Sequence, residues 1–312
     1  MSPFISYAQN FEDVVLWRAL KQVNKGFYVD VGAQDPQVES VTCAFYERGW
    51  SGINMEPVKE YFDKLNQARP HDINLNVAAG RASEFRTLHS FAGSGLSTLD
   101  AEISARHEAA GLTATESVVQ VLTLTEVLKD SGRSPIHFLK IDVEGAEGEV
   151  LEGLDLGRIR PWIIVVEATE PNRTTTNHEK WEHLIIDHGY SYAYFDGLNR
   201  FYVANEVGEL QEQLAVPPNF FDNFVRASEW TYKQRAENLE RDLVTVQELL
   251  DRTRAEFARI RSELAAERDQ RNYLLGRMHQ LEAQLAVPSI DRFVGRMLSR
   301  VRDRFARGNS QP

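Results

Sequence analysis

Through residues 1–223, short runs of β-branched and aromatic residues alternate with stretches whose apolar positions recur at helical spacing. That is the pattern of a parallel sheet wrapped by helices. It predicts strands at 27–31, 51–55, 73–78, 136–142 and 162–168. Two further strands, 190–195 and 200–204, flank the turn residues Asp196, Gly197, Leu198 and Asn199 and form an antiparallel hairpin. Five parallel strands followed by a hairpin read as an α/β, Rossmann-like doubly wound fold. The stretch between Ala79 and Ser134 is too long for an ordinary connection, so an insertion there is expected to build a substrate-facing cap.

From about residue 224 the period changes. Leu239, Leu243, Val246, Leu250, Phe257, Ile260, Leu264, Leu274, Met278, Leu281 and Leu285 fall in alternating steps of three and four once Thr253, Glu267 and Arg271 are included. This heptad predicts a coiled coil over 224–287 and an oligomer, most simply a parallel dimer; a single amphipathic helix folded back on the body is the other reading. Pro288 ends the pattern, and Ser289 is placed to cap a last helix through about Arg307. In it Ile290, Phe293, Val294, Met297, Leu298, Val301 and Phe305 share one face and six arginines cover much of the rest. Such a helix suits an anionic membrane surface, or packs its apolar face on the body or on a partner's helix.

Charge divides the chain into the same three parts: 1–223, 224–287 and 288–312. The first holds 18 basic and 33 acidic side chains, the second 11 of each, and the third six Arg against two Asp, which together make the net −11. An acidic body argues against a nucleic-acid partner, because phosphate binding needs a basic face. A single cysteine, Cys43, excludes a disulfide framework and a multi-thiolate metal site, and fits a reducing cytoplasm. The first residues carry acids where a signal peptide would be basic, and no run is long and apolar enough for a membrane span.

Candidate chemistry begins at Asp30-Val31-Gly32-Ala33, directly after a strand and expected to open into a helix, where a nucleotide cofactor's loop would lie. Glu56, at the end of the next strand about 25 residues on, can accept both ribose hydroxyls of such a cofactor. A dinucleotide needs further glycines so that main-chain N–H groups can cradle its pyrophosphate. Here Gln34, Asp35 and Pro36 stand in those places; Pro36 has no N–H and Asp35 would repel phosphate. S-adenosylmethionine has no phosphate and carries sulfonium and ammonium groups, so it suits these acids where a nicotinamide dinucleotide does not.

The fourth strand ends in Lys140-Ile141-Asp142-Val143-Glu144-Gly145, with a helix expected from Glu144-Gly145 onward. A lysine in a buried strand is costly unless paired, so Lys140 either pairs with Asp142, Glu144 or Glu167 or helps orient an acceptor hydroxyl. Asp142, Glu144 and Glu167 also form a conceivable magnesium set, disfavoured by the charge of Lys140. No histidine spacing makes a zinc motif; His178, after the fifth strand, is either a general base or a helix-start residue. Cys43 reads as packing.

The strings YAQNFEDVVLW, DVGAQDP, ERGWSGINMEP, NVAAG, SGLSTLD, LKIDVEGAEGEVLEG and VVEATEP occur in that order from about Ser6 to Asn205. In them the chain resembles an FkbM-family S-adenosylmethionine-dependent methyltransferase, apart from Pro36 where the family's loop has glycine. The resemblance implies a class I methyltransferase fold and methyl transfer to a hydroxyl of a surface glycan or a polyketide-type natural product. It would give Asp30, Gly32 and Ala33 to the methionine and ribose region, Glu56 to the ribose, and Val77 and Ala78 to the adenine. Asp142 would face the cofactor's amino end or the acceptor. Tyr7, Gln9 and Asn10 would fold over the cofactor, or serve as a helix cap and packing; Ser94-Gly95-Leu96-Ser97-Thr98 would line the transfer site, or form a turn. Asp142, Lys140, Glu144 and His178 are then the catalytic candidates. With the tail, the expected setting is cytoplasmic, at the inner membrane beside glycan-assembling glycosyltransferases. The competing reading is an inactive methyltransferase-like scaffold that recruits those enzymes through its coiled coil.

Overall fold

The computed structural model describes residues 3–91, 93, 95–171, 173–285 and 291–306. The chain forms two compact units that divide after Tyr232. In the first, β1 (Phe4–Ser6) and α1 (Glu12–Leu20) lead into β2 (Phe27–Val31), α2 (Cys43–Tyr46), β3 (Ser51–Met55), α3 (Lys59–Ala68) and β4 (Ile73–Leu75). The insertion supplies β5 (Ala78–Ala79), β6 (Glu84–Phe91), β7 (Ser97–Thr98), α4 (Ala101–Ala109), β8 (Ala114–Leu122) and α5 (Leu124–Ser131). Then follow β9 (Phe138–Ile141), α6 (Glu147–Glu152), β10 (Ile163–Glu167), α7 (His183–Ile186), β11 (Tyr190–Phe195), β12 (Asn199–Ala204), α8 (Gln211–Leu214) and β13 (Phe224–Arg226). β13 pairs in parallel with β1, which keeps residues 224–226 on the first unit.

Seven strands make the main sheet in the order β11-β12-β10-β9-β2-β3-β4, parallel from β4 to β10, with β12 antiparallel to β10 and β11 antiparallel to β12. Alternate residues of each strand serve opposite faces. Val29, Val31, Leu139, Ile141, Ile164 and Val166 pack with Leu128, Val150 and Leu151 in one core. Tyr28, Phe138, Ile163 and Val165 pack with Leu16, Leu20 and Phe45 in the other. The chain leaves β2 toward β3 on one side and resumes at β9 on the other, so the strand order reverses between β2 and β9. A crevice at that reversal is where open α/β sheets bind ligands.

Three expectations change. The strand expected at 73–78 is two: β4 pairs with β3, and β5 belongs to a separate four-stranded sheet, β5-β8-β6-β7. Asn76 pins the crossing by donating to the carbonyls of Glu56 and Pro57, both at 2.9 Å. The insertion is thus mainly a small sheet closed by Ala78, Leu88, Val119 and Val121. Second, no helix opens directly after Gly32: Gln34 and Glu39 have φ of 51° and 57°, Asp35 accepts from the N–H groups of Gln37 and Val38, and the first helical turn waits until Cys43. Third, Glu144 and Gly145 have φ of 56° and 102°, so the helix expected from them begins at Glu147.

The second unit contains most of α9 (Ala227–Gln284) and all of α10 (Asp291–Ala306). α9 has no buried residue. Ser289, Ile290 and Arg307, named above for the last helix, lie outside the described residues. Among the described residues no helix is long and apolar enough to cross a membrane.

Candidate active site

A cleft of about 630 Å³ opens at the carboxyl ends of β2, β3, β9 and β10. Its deepest polar feature follows from sheet register. Asp30 on β2 stands directly opposite Lys140 on β9, with Nζ 3.5 Å from Oδ1 of Asp30 and 3.3 Å from Oδ2 of Asp142. Lys140 also donates to the carbonyl oxygen of Gly32 at 3.0 Å. Burial acts to lower the lysine's pKa, but the carboxylates of Asp142 and Asp30 outweigh it and hold it above the usual lysine range. Lys140 is thus paired with Asp142 and Asp30, not with Glu144 or Glu167.

Gly32 closes this arrangement. Its φ is +77°, and a β-carbon there would lie 1.9 Å from the Asp142 carbonyl oxygen. Two loops from neighbouring strands touch main chain to main chain at this point, which only glycine permits. Behind the loop lies a residue that sequence reasoning missed, Arg69. Fully buried, it donates to Thr42 Oγ1 at 2.6 Å, to Ser40 Oγ at 2.7 Å and to the carbonyl of Pro36. Thr42 in turn donates to Asp30 Oδ2 at 2.8 Å. A lone arginine at the end of a helix gave no signal, because its role rests on groups 27 to 33 residues away.

Glu56 lines the cleft from the end of β3. Its two oxygens accept from the N–H groups of Gln34 at 2.8 Å and Val58 at 2.7 Å. Burial raises its pKa to about 7 against the opposing pull of those donors. Val77 and Ala78 form apolar wall beside it, and Gln9, Ala33 and Gly95 reach the same cleft. The N-terminal segment is held there by buried acids. Asp13 accepts from Ser6 Oγ and the N–H groups of Tyr7 and Ala8, while Glu12 accepts from Asn10 N–H and Asn199 Nδ2. Tyr7 is not among the lining residues; its hydroxyl donates to Glu47 at 2.8 Å. The side chain of Asn10 donates to the Asp196 carbonyl.

On the other side of Lys140 the lining is more acidic. Asp142, Glu144 and Glu167 face the cleft, with Glu147 behind them accepting from the N–H groups of Val143 and Gly145. Burial and the neighbouring carboxylates raise the pKa of both Glu144 and Glu167, and Glu167 Oε2 is buried without a hydrogen-bond partner. Among the described residues no group of three acids, histidines or cysteines is arranged to hold a metal ion. Thr98 Oγ1 donates to the Glu144 carbonyl at 3.1 Å, tying the insertion to this edge; Ser94 lies outside the described residues. Thr169, Arg173 and Thr174 complete the rim.

His178 is not on the cleft. A bridge between Thr169 and Thr176 folds the loop back on itself, so Arg173 and Thr174 reach the rim. His178 falls beyond the bridge, with Nε2 3.9 Å from Glu182. Cys43 is buried, and burial raises its pKa to about 12, as expected of a packing residue.

The model of the methyltransferase FkbM domain matches residues 30–192, just over half of the chain, from Asp30 to the terminal hairpin. The chain belongs to the FkbM methyltransferase family. Within the FkbM domain so defined lie all the cleft-lining residues discussed above except Gln9, which the N-terminal segment brings in. A solved FkbM methyltransferase from Methylobacillus flagellatus is similar at 11% identity and a TM-score of 0.34, over 58% of this chain. This chain covers 43% of that protein's length. No curated protein matches the chain.

Proposed function

We propose that this FkbM domain transfers a methyl group from S-adenosylmethionine to a hydroxyl of a glycan or related natural product. The carrying observation is the cleft at the strand-order reversal, walled on its cofactor side by Glu56, Gly32, Val77 and Ala78 and on its other side by carboxylates around Lys140. These residues fit the methyl donor. Glu56 is a buried carboxylate in the wall, suited to ribose hydroxyls, and the Gly32–Pro36 loop offers no run of glycine N–H groups for a pyrophosphate. An acidic lining favours a cation by simple Coulomb attraction in a partly desolvated site.

When bound, the donor supplies an electrophilic methyl carbon on a sulfonium. The protein's own task is chiefly to bring the acceptor oxygen in line with that carbon, which is catalysis by proximity and orientation. Lys140 keeps Asp30 and Asp142 ordered at the junction of the two half-sites. Since His178 stands off the cleft, and burial holds the Glu144 and Glu167 carboxyls well above the usual carboxylate range, the proton of the acceptor hydroxyl goes to Asp142. Titration calorimetry with S-adenosylmethionine, then transfer of labelled methyl to hydroxyl-bearing glycans, tests this reading. Absence of donor binding overturns it and leaves the non-catalytic scaffold.

A further inference from the structure

We propose that α9 is one strand of a parallel, in-register, two-stranded coiled coil formed with a second copy of this chain. From Leu239 to Leu285 the helix presents fourteen seam positions, eleven of them apolar, on an element with no buried residue. Phe257, for example, is 68% exposed. A helix of this length gains little from propensity alone and needs a partner for its apolar stripe.

The charges flanking the seam decide which partner and which direction. Leu243, Leu250, Phe257, Leu264, Arg271, Met278 and Leu285 occupy the first seam position of successive heptads, and Leu239, Val246, Thr253, Ile260, Glu267, Leu274 and Leu281 the second. In a parallel pair, the residue before each first position faces the residue after the second position of the next heptad on the other chain. Glu256 then meets Arg261, Glu263 meets Arg268 and Arg277 meets Glu282, each twice by symmetry, and no like charges meet among these flanking positions. Glu256, Arg261 and Arg268 make no ion pair within the chain among the described residues. Full antiparallel overlap does the opposite. It sets Arg261 against itself, Arg254 against Arg268 and Glu240 against Glu282, a repulsive pattern with no compensating pair.

The polar interruption fixes the register. Side chains in such a seam insert between four residues of the facing helix. In register, Glu267 and Arg271 each face their own counterpart across the seam, but Glu267 enters a hole that also includes the other copy's Arg268 and Arg271, and Arg271 enters one that also includes its Glu267. A slip of one heptad leaves one copy's Arg271 opposite Met278 with no acid in its hole, whereas in register both copies' Arg271 have one. Leucine at first positions with Val246 and Ile260 at second positions leans toward larger assemblies, but a third or fourth strand would seal Glu267 and Arg271 from water. At the narrow seam of a dimer both charged heads reach solvent.

Sedimentation or light scattering on the full chain should report twice the 35.6 kDa chain mass. Glu256→Arg with Glu263→Arg, and separately Arg261→Glu with Arg268→Glu, should each raise the dimer dissociation constant about tenfold or more, each exposed pair being weak but repeated and reversed in sign. Mixing the two variants should restore a tight one-to-one heterodimer. Val246→Cys should form a disulfide with its own copy under mild oxidation, which only the parallel register allows. A wild-type monomer, trimer or tetramer overturns the proposal, as do failure of the mixed variants to rescue each other and absence of the cross-link. Because each charge variant is read against its own mixture, loss of folding in one cannot mimic the expected result.

Discussion

The carbonyl oxygen of Asp142 occupies the space that a β-carbon on Gly32 would need, at 1.9 Å from where that atom would stand. The glycine is thus required by its neighbour strand's loop, in addition to any ligand. Gly32→Ala should lower stability by roughly 2–4 kcal/mol, combining a left-handed backbone and a main-chain clash. Urea denaturation checks this. Loss of donor binding with unchanged stability would show that Gly32 matters only through ligand space.

Asp30 depends on Thr42 for its one short hydrogen bond, and Thr42 depends on Arg69. Thr42→Val keeps the shape, removes the hydroxyl, and should cost about 1–3 kcal/mol by leaving buried partners unpaired. It should also weaken donor binding, since Asp30 then lacks its anchor. Calorimetry and denaturation on the same variant separate the two effects.

Glu56 should matter through its charge as well as its hydrogen bonds. Glu56→Ala should weaken S-adenosylmethionine binding by roughly 1–3 kcal/mol, the usual penalty for unpaired buried donors. Its pKa, raised by burial from 4.5 to about 7, means the folded protein holds this proton where the unfolded chain has lost it. That contribution is full below about pH 4.5 and is lost as pH rises through 7, so stability falls across this window. Binding of a cation runs the other way and should tighten between pH 6 and 8. Glu56→Gln should flatten both dependences, as measured by denaturation and calorimetry across that range.

Removing His178 should leave methyl transfer nearly intact. His178→Ala is expected to keep the rate within about twofold, because a group off the cleft cannot accept the acceptor's proton directly. Asp142→Asn should lower it by at least about tenfold, general-base loss being worth roughly a hundredfold where no neighbour substitutes. A strong loss in His178→Ala would return the base to that residue.

Much of the architecture was legible from residue order because it rests on short-range periodicities. Short β-branched and aromatic runs marked β2, β3, β9, β10 and the β11–β12 hairpin, and the seven-residue repeat marked α9. Asp30, Gly32, Glu56, Lys140 and Asp142 stood out for a related reason: acids, a glycine and a lysine at strand ends are visible one strand at a time. What stayed hidden are relations between segments far apart in sequence. That Lys140 meets Asp30, that Arg69 props the loop of Pro36 and Thr42, and that β5 leaves one sheet for another all depend on register across crossovers. His178 shows the same divide from the other side. Its position after β10 suggested reach into the site, but a single bridge between Thr169 and Thr176 turns the loop and carries it away. Sequence by itself determined the elements and the chemistry available at their ends; tertiary packing alone decided which of those groups share one cleft, because pairing across a sheet is set by contacts that no local pattern encodes.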